Sequence, residues 1–383
     1  MKHITPLLLA GALSAACAGK APPPAAEEDG SLLSSSGVRL VPVAAGLEFP
    51  WAMAELPDGT LLVTEREGRL RRITSSGLVA EPVSGLPEDV LIDGQGGLLG
   101  LALAPDFAVS RALFLSYSRQ DGDTNTTAVV RGILTPDATA LTDVTHIFDG
   151  APRETTYHYG GRLAFLDDGS LIVTLGDGYR YMDEAQNPSN RHGAIARIWP
   201  DGSIPEDNPF ISGGGDPAVY SYGHRNVQGL VFDEARNLLW AHEHGPKGGD
   251  ELNLLEAGAN YGWPAITYGI NYDGTVITDQ TKAPGLKQPV WKWVPSIAPS
   301  GMALVQTESF PAWRGDLLIG AMNGPKGQKI VRIDLDPDGE VVGSEDILTD
   351  LGLGFRDVLS TRTALYAATN DLDATLYRIE PVR

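Results

Sequence analysis

The chain has 383 residues, a formal net charge of −20 and 42% hydrophobic residues. The acidic balance argues against a nucleic-acid partner, because phosphate binding draws on clustered cations, and the apolar share argues against global disorder. A single cysteine excludes an intramolecular disulfide or a cysteine-rich metal site, and 45 glycines with 27 prolines point to many turns.

In chain order, Lys2 and His3 precede an apolar stretch, Leu7 to Ala16, that ends in small residues before Cys17. This is the layout of an export signal. The stretch is short of the roughly 20 residues a mature membrane helix needs. Leu13-Ser14-Ala15-Ala16-Cys17 resembles a bacterial lipobox. Residues 1–17 are therefore read as a lipoprotein-type signal peptide, with lipid on Cys17 holding an exported protein in the periplasm, at the outer membrane or at the cell surface. The plainer alternative is simple cleavage nearby. Residues 18–36, with the run KAPPPAAEEDGSLLSSS, read as a flexible linker. Residues 37–383 read as one domain, because no linker-like segment interrupts them.

Helical periodicity is hard to find in that domain. Short apolar runs recur instead, closed by turn signals: TLLVTE (60–65), SLIVTLGD (170–177), NLLWAHEHG (237–245), DLLIGAM (316–322), KIVRIDLD (329–336) and ALYAATND (364–371). Asp-Gly beside a β-rich run marks a hairpin, because glycine tolerates positive φ. A unit of turn, apolar strand and polar strand such as GRLRRI (68–73) returns roughly every 45–65 residues, near the range of propeller blades. The fold class is all-β, and period alone leaves a propeller and another all-β fold open.

Four clusters place polar residues where structure alone gives no need of them. Gly94-Gln95-Gly96-Gly97 lacks the lysine of a phosphate loop. Tyr157-His158-Tyr159-Gly160-Gly161 sets a histidine at a strand entrance, where an imidazole can take a proton near neutral pH. In Gly223-His224-Arg225-Asn226, the arginine offers a fork of donors suited to oxyanions. His242-Glu243-His244-Gly245-Pro246 runs on to Asp250-Glu251. The histidine pair has no third nitrogen or sulfur ligand for zinc, whereas freed carbonyls and nearby carboxylates suit Ca²⁺. For each cluster the alternative is a loop that only stabilises itself.

Together, GQGGLLGLALAPDF (94–107), HYGGRLAFLDDGSLIVTLGD (158–177), YGHRNVQGL (222–230), EHGPKGGDELNLLEAGANYGWP (243–264) and WVPSIAPSGM (293–302) resemble the quinoprotein aldose sugar dehydrogenases, related to soluble glucose dehydrogenase. The resemblance implies a six-bladed β-propeller that uses pyrroloquinoline quinone (PQQ) and Ca²⁺ to oxidise aldoses at C1 to lactones and passes electrons to an external acceptor. It implies His158 as general base and Arg225 as the group polarising the quinone oxygen. Gln95, Asn226, Lys326 and Arg356 match cofactor contacts. The carbonyls of Gly245 and Pro246 match ligands of the cofactor-bound Ca²⁺, and Glu251 with the Tyr261 carbonyl matches a second, structural Ca²⁺. Three departures stand out: Gly354 occupies the place of the first arginine of an Arg-x-Arg pair, the segment after DLLIGAM is longer than usual, and Tyr157 stands where some relatives have aspartate beside the base. Sugar choice is expected in loops 179–192 and 265–290. The competing readings are a non-catalytic propeller lipoprotein that binds a carbohydrate or partner, and a Ca²⁺-dependent lactonase-like hydrolase.

Overall fold

The computed structural model describes residues 27–322 and 327–382. Lys326 and Cys17, with the rest of the signal segment, lie outside the described residues.

Six antiparallel sheets follow one another along the chain, five of four strands and one of five. Their first strands are Pro50–Glu55, Leu98–Leu103, Gly160–Phe165, Val227–Asp233, Pro299–Leu304 and Phe355–Ser360. These strands meet their counterparts in neighbouring sheets, so they line the centre and the sheets radiate as the blades of a six-bladed propeller. The ring closes through the sixth blade. Its inner three strands come from the C-terminal end, and its outer strand Val38–Leu47 comes from the N-terminal side, pairing with Ala374–Pro381.

Blade packing explains the apolar runs. A blade is covered on both faces, so its middle strands are apolar throughout rather than alternating. Leu61–Glu65, Leu171–Leu175, Ala194–Ile198 and Leu317–Ala321 are buried at every position. Six apolar clusters fill the gaps between blades, one to each interface. Inner strands begin at residues 50, 98, 160, 227, 299 and 355, wider at blades 3 and 4 than the sequence period suggests. The long segments 199–218 and 255–290 account for the excess.

The linker expected over 18–36 needs correction at its C-terminal end. Leu32–Leu33 pairs with the Val38–Leu47 strand, Ser31 is buried, and Ser34 Oγ donates to Asp350 Oδ1 at 2.6 Å while the Ser35 amide donates to Oδ2 at 2.8 Å. A serine-rich run that resembles a tether is here a fifth strand and a cap on blade 6. Among the described residues no helix is long and apolar enough to cross a membrane.

All six first strands carry a register shift near their start, for example between Gly160 and Leu163 and between Val227 and Gly229. Bulges re-aim side chains and bend a strand. In antiparallel blades, the starts of first strands and the ends of second strands share one face of the ring. That face receives Gln95, His158, Arg225, Asn226, Arg66 and Asp177.

Candidate active site

His158 sits just before the inner strand of blade 3, buried, with φ of +55°. Left-handed backbone costs a non-glycine residue about 1–2 kcal/mol and persists only where neighbours over-determine it. Here the neighbours do so. The His158 amide donates to Gln95 Oε1 at 2.9 Å, and its carbonyl accepts from the Arg153 guanidinium at 2.6 Å. Gly176 passes so close that a Cβ there would lie 1.8 Å from the His158 carbonyl oxygen. Nδ1 meets Asp177 Oδ1 at 2.6 Å. Nδ1–H is therefore the donor, and Nε2 keeps its lone pair with no protein partner among the described residues.

Asp177 is held on all sides. Oδ1 accepts from the Tyr179 amide and Oδ2 from Trp263 Nε1, each at 2.8 Å, and its own amide donates to the Arg225 carbonyl. Burial favours its neutral form, but the His158 hydrogen bond and the charges of His158 and Arg225 outweigh this and hold the carboxyl below its ordinary range. Burial first, then Arg225, pulls His158 below its ordinary value despite Asp177. The pair at neutral pH is a neutral imidazole on a carboxylate, the state a general base needs.

Arg225 is buried beside this pair. Its amide donates to Glu243, its Nη1 donates to the carbonyls of His244 at 3.1 Å and Gly245 at 2.9 Å, and its guanidinium lies 5.4 Å from the Trp263 ring centroid. Asn226 Oδ1 accepts from the Gly160 amide at 3.1 Å, tying blade 4 to blade 3.

A cavity of about 170 Å³ opens at this face, with Gln95, Asn226, Gln228, His244, Arg66 and Arg356 in its wall. Larger hollows lie at the opposite end of the ring, among the turns after the inner strands, away from the His158–Asp177 pair. Among the described residues, no aspartate or glutamate lines the 170 Å³ cavity. Arg356 donates to Gln228 Oε1 at 3.1 Å and lies over Trp51, 4.5 Å from its ring centroid. Burial, then Arg162, pulls the Arg356 guanidinium well below its ordinary range, and Arg66 adds to the repulsion. Among the described residues, the buried Arg66 Nε has no partner.

A second cavity, of about 10 Å³, is lined by Gly245, Glu251 and Tyr261 together with Arg225 and Glu243. That is room for one water-sized occupant. The Glu251 carboxyl is pushed up to about 8 by burial and by Glu243. The Tyr261 side chain is fully engaged, its hydroxyl donating to Leu254 and its ring stacked on His224 at 4.5 Å, which leaves its carbonyl as the available group. Pro246 packs by Gly269 and is not in this wall. This cavity thus brings together Glu251 and Tyr261, the pair expected at the second ion, with Gly245 from the pair expected at the cofactor's ion, while Pro246 of that pair lies outside its wall. The His242 ring is buried with neither nitrogen hydrogen-bonded among the described residues, while His244 Nε2 donates to the Pro299 carbonyl at 2.7 Å. Among the described residues, no cluster of three His, Cys, Asp or Glu side chains is poised for a metal, so an ion here would depend on backbone oxygens.

Asp177, Arg153 and Arg66 were not singled out from the sequence. Asp177 ends the run SLIVTLGD, and an acid closing a buried strand was its only signal. Arg66 follows a buried strand in the same way.

A closed ring of six blades gathers the His158 imidazole, the Arg225 guanidinium and an arginine-lined cavity on one face, which defines the class as a six-bladed propeller with a polar site at one mouth. The profile of the glucose/sorbosone dehydrogenase family matches residues 47–378, nearly the whole ring. The chain belongs to that family. It is 41% identical over 342 residues to the aldose sugar dehydrogenase YliI of Escherichia coli K12, covering 88% of this chain and 91% of that protein. The crystal structure of the soluble E. coli aldose sugar dehydrogenase in its apo form superposes with a TM-score of 0.85 at 39% identity, covering 90% of this chain and 99% of that one. The PQQ-bound aldose sugar dehydrogenase of Streptomyces coelicolor gives a TM-score of 0.74 at 28% identity, covering 94% and 99%. The expected family and the six-bladed propeller both hold.

The donor set fits both implied groups. Two guanidiniums in an acid-free cavity, within a chain of net charge −20, call for an anion, and planar forks match carboxylates such as the three of PQQ. Glu251 and Glu243 share the wall of a one-ion space with Gly245 and Tyr261, which calls for a hard cation, and oxygen donors suit Ca²⁺.

Proposed function

We propose that this protein oxidises aldoses at C1 to lactones with PQQ and Ca²⁺. The observation that carries the reading is the His158–Asp177 pair, with Nδ1 locked at 2.6 Å and Nε2 open, beside an acid-free cavity holding Arg66 and Arg356. When bound, PQQ would supply the two-electron oxidant that takes the C1 hydride, with Ca²⁺ as its Lewis acid.

The chain's own residues handle the proton and the field. His158 Nε2 accepts the proton of the anomeric hydroxyl as the C1 hydride leaves, so the sugar loses one hydride and one proton and becomes the lactone. Asp177 holds the ring in the required tautomer and stabilises the imidazolium. Arg153 and Gln95 fix the backbone on either side of the base. Arg225 places a positive charge where negative charge develops. Arg66 and Arg356 would hold carboxylates of the cofactor, Asn226 and Gln95 would border it, and Lys326 is proposed to reach it. Gly245 and Pro246 would supply carbonyls to the cofactor's Ca²⁺, and Glu251 and Tyr261 to a second ion. Export, with lipid on Cys17 and an external electron acceptor, completes the proposal, supported by the pattern of residues 1–17.

Apo protein supplied with PQQ and Ca²⁺ is expected to reduce an artificial dye with aldoses and to release lactone. A flat trace across mono- and disaccharides, with cofactor bound, would overturn the reading.

Arg66 gives a separate check. Arg66→Ala is expected to weaken PQQ binding about ten- to a hundredfold, the range of a charge-assisted bond to a buried partner. Fluorescence titration reads this directly, and an unchanged dissociation constant would remove Arg66 from the cofactor site.

A further inference from the structure

Two tyrosines at the mouth have no part in the chemistry above. Tyr157 and Tyr179 are 46% and 49% exposed. Their ring centroids lie 5.8 Å apart with planes tilted by 50°. Tyr179 also meets the His158 ring edge-on, at 5.2 Å and 84°. Aromatic surface therefore starts at the base and runs outward into solvent.

The backbone adds an independent observation. Tyr179 has φ of +68°, a region glycine occupies freely and a tyrosine does not. Its amide is bound to Asp177 Oδ1 at 2.8 Å, the same oxygen that holds His158. A large aromatic residue, strained and left half in water, contributes little to folding. Strain of this kind collects where a side chain is needed for its surface.

We propose that Tyr157 and Tyr179 form a platform for the C–H face of the sugar ring, which makes the pair a specificity determinant. The proposal rests on the aldose reading and adds which aldoses the site selects. A pyranose with mostly equatorial hydroxyls has a flat apolar face, and aromatic rings pack against such surfaces while the polar rim stays wet. For its anomeric hydroxyl to reach His158 Nε2, the reacting ring must lie beside Tyr179. Tyr157, further out, then supports the next ring of a disaccharide. Sugars with axial groups on that face lose the contact.

The test uses the protein loaded with PQQ and Ca²⁺. Tyr179→Gly should raise KM for glucose about tenfold, with kcat falling less than KM rises. Its melting temperature should hold or rise, because the strain is relieved. Tyr179→Phe should keep the native KM, since stacking needs no hydroxyl. Tyr157→Ala should raise KM for cellobiose more than for glucose. Saturation-transfer NMR should show the ring C–H protons of glucose contacting the native protein and losing that contact in Tyr179→Gly. Equal glucose binding and KM in Tyr179→Gly, or Tyr179→Phe behaving like Tyr179→Gly, would overturn the platform. Glucose that binds through Tyr179 and is not oxidised would instead overturn the dehydrogenase reading and leave the platform standing.

Discussion

Replacing His158 by alanine is expected to lower turnover by about 10²–10⁴-fold, the usual contribution of a positioned general base. PQQ binding should be little changed, because the imidazole faces Asp177 and Tyr179 rather than the wall of the 170 Å³ cavity. The variant also tests an assignment of protonation. Burial and Arg225 hold the His158 pKa below its ordinary value, so the neutral, competent form prevails at pH 7. Activity should be lost only as pH falls through that lowered value. The acid limb of kcat/KM therefore belongs below about pH 6.5, the ordinary histidine value, and should vanish in His158→Ala. An acid limb above that value, or unchanged turnover in the variant, would place the base elsewhere.

Arg225→Ala should lower turnover by about 10²–10³-fold, as removal of one donor aimed at developing negative charge does elsewhere. Arg225→Lys should recover only part of this, because an ammonium keeps the charge and loses the planar fork. The side chain also donates to the carbonyls of His244 and Gly245, so some stability should go with it. Paired kinetic and melting measurements separate the two roles. A fall in turnover far beyond the fall in stability supports the electrostatic role, and a loss of folding matching the loss of activity would make Arg225 a brace between blade loops.

How much of this was readable in the chain follows from distance along it. Runs such as TLLVTE and DLLIGAM are middle strands of blades, apolar throughout because both faces are covered. All-β structure was therefore plain. The number of blades was not, since the 255–290 segment stretches blade 4, and six came from family resemblance. The site clusters were visible because glycines at strand entrances stand beside their polar residues. Their partners were hidden. Asp177 lies 19 residues from His158, and Trp263 lies 86 from Asp177, and only closure of blades 3 and 4 brings the three together. Ser34 misled for the same reason, since its partner Asp350 is 316 residues away. Arg66 brings a second guanidinium to the cavity wall beside Arg356, and no local pattern announces it.

The most direct test is a titration of the apo protein with PQQ at saturating Ca²⁺, following binding and aldose-dependent dye reduction together. The account predicts a one-to-one end point at which activity reaches its plateau in step with occupancy. Saturable binding with no sugar oxidation, or no binding at any concentration, would contradict it.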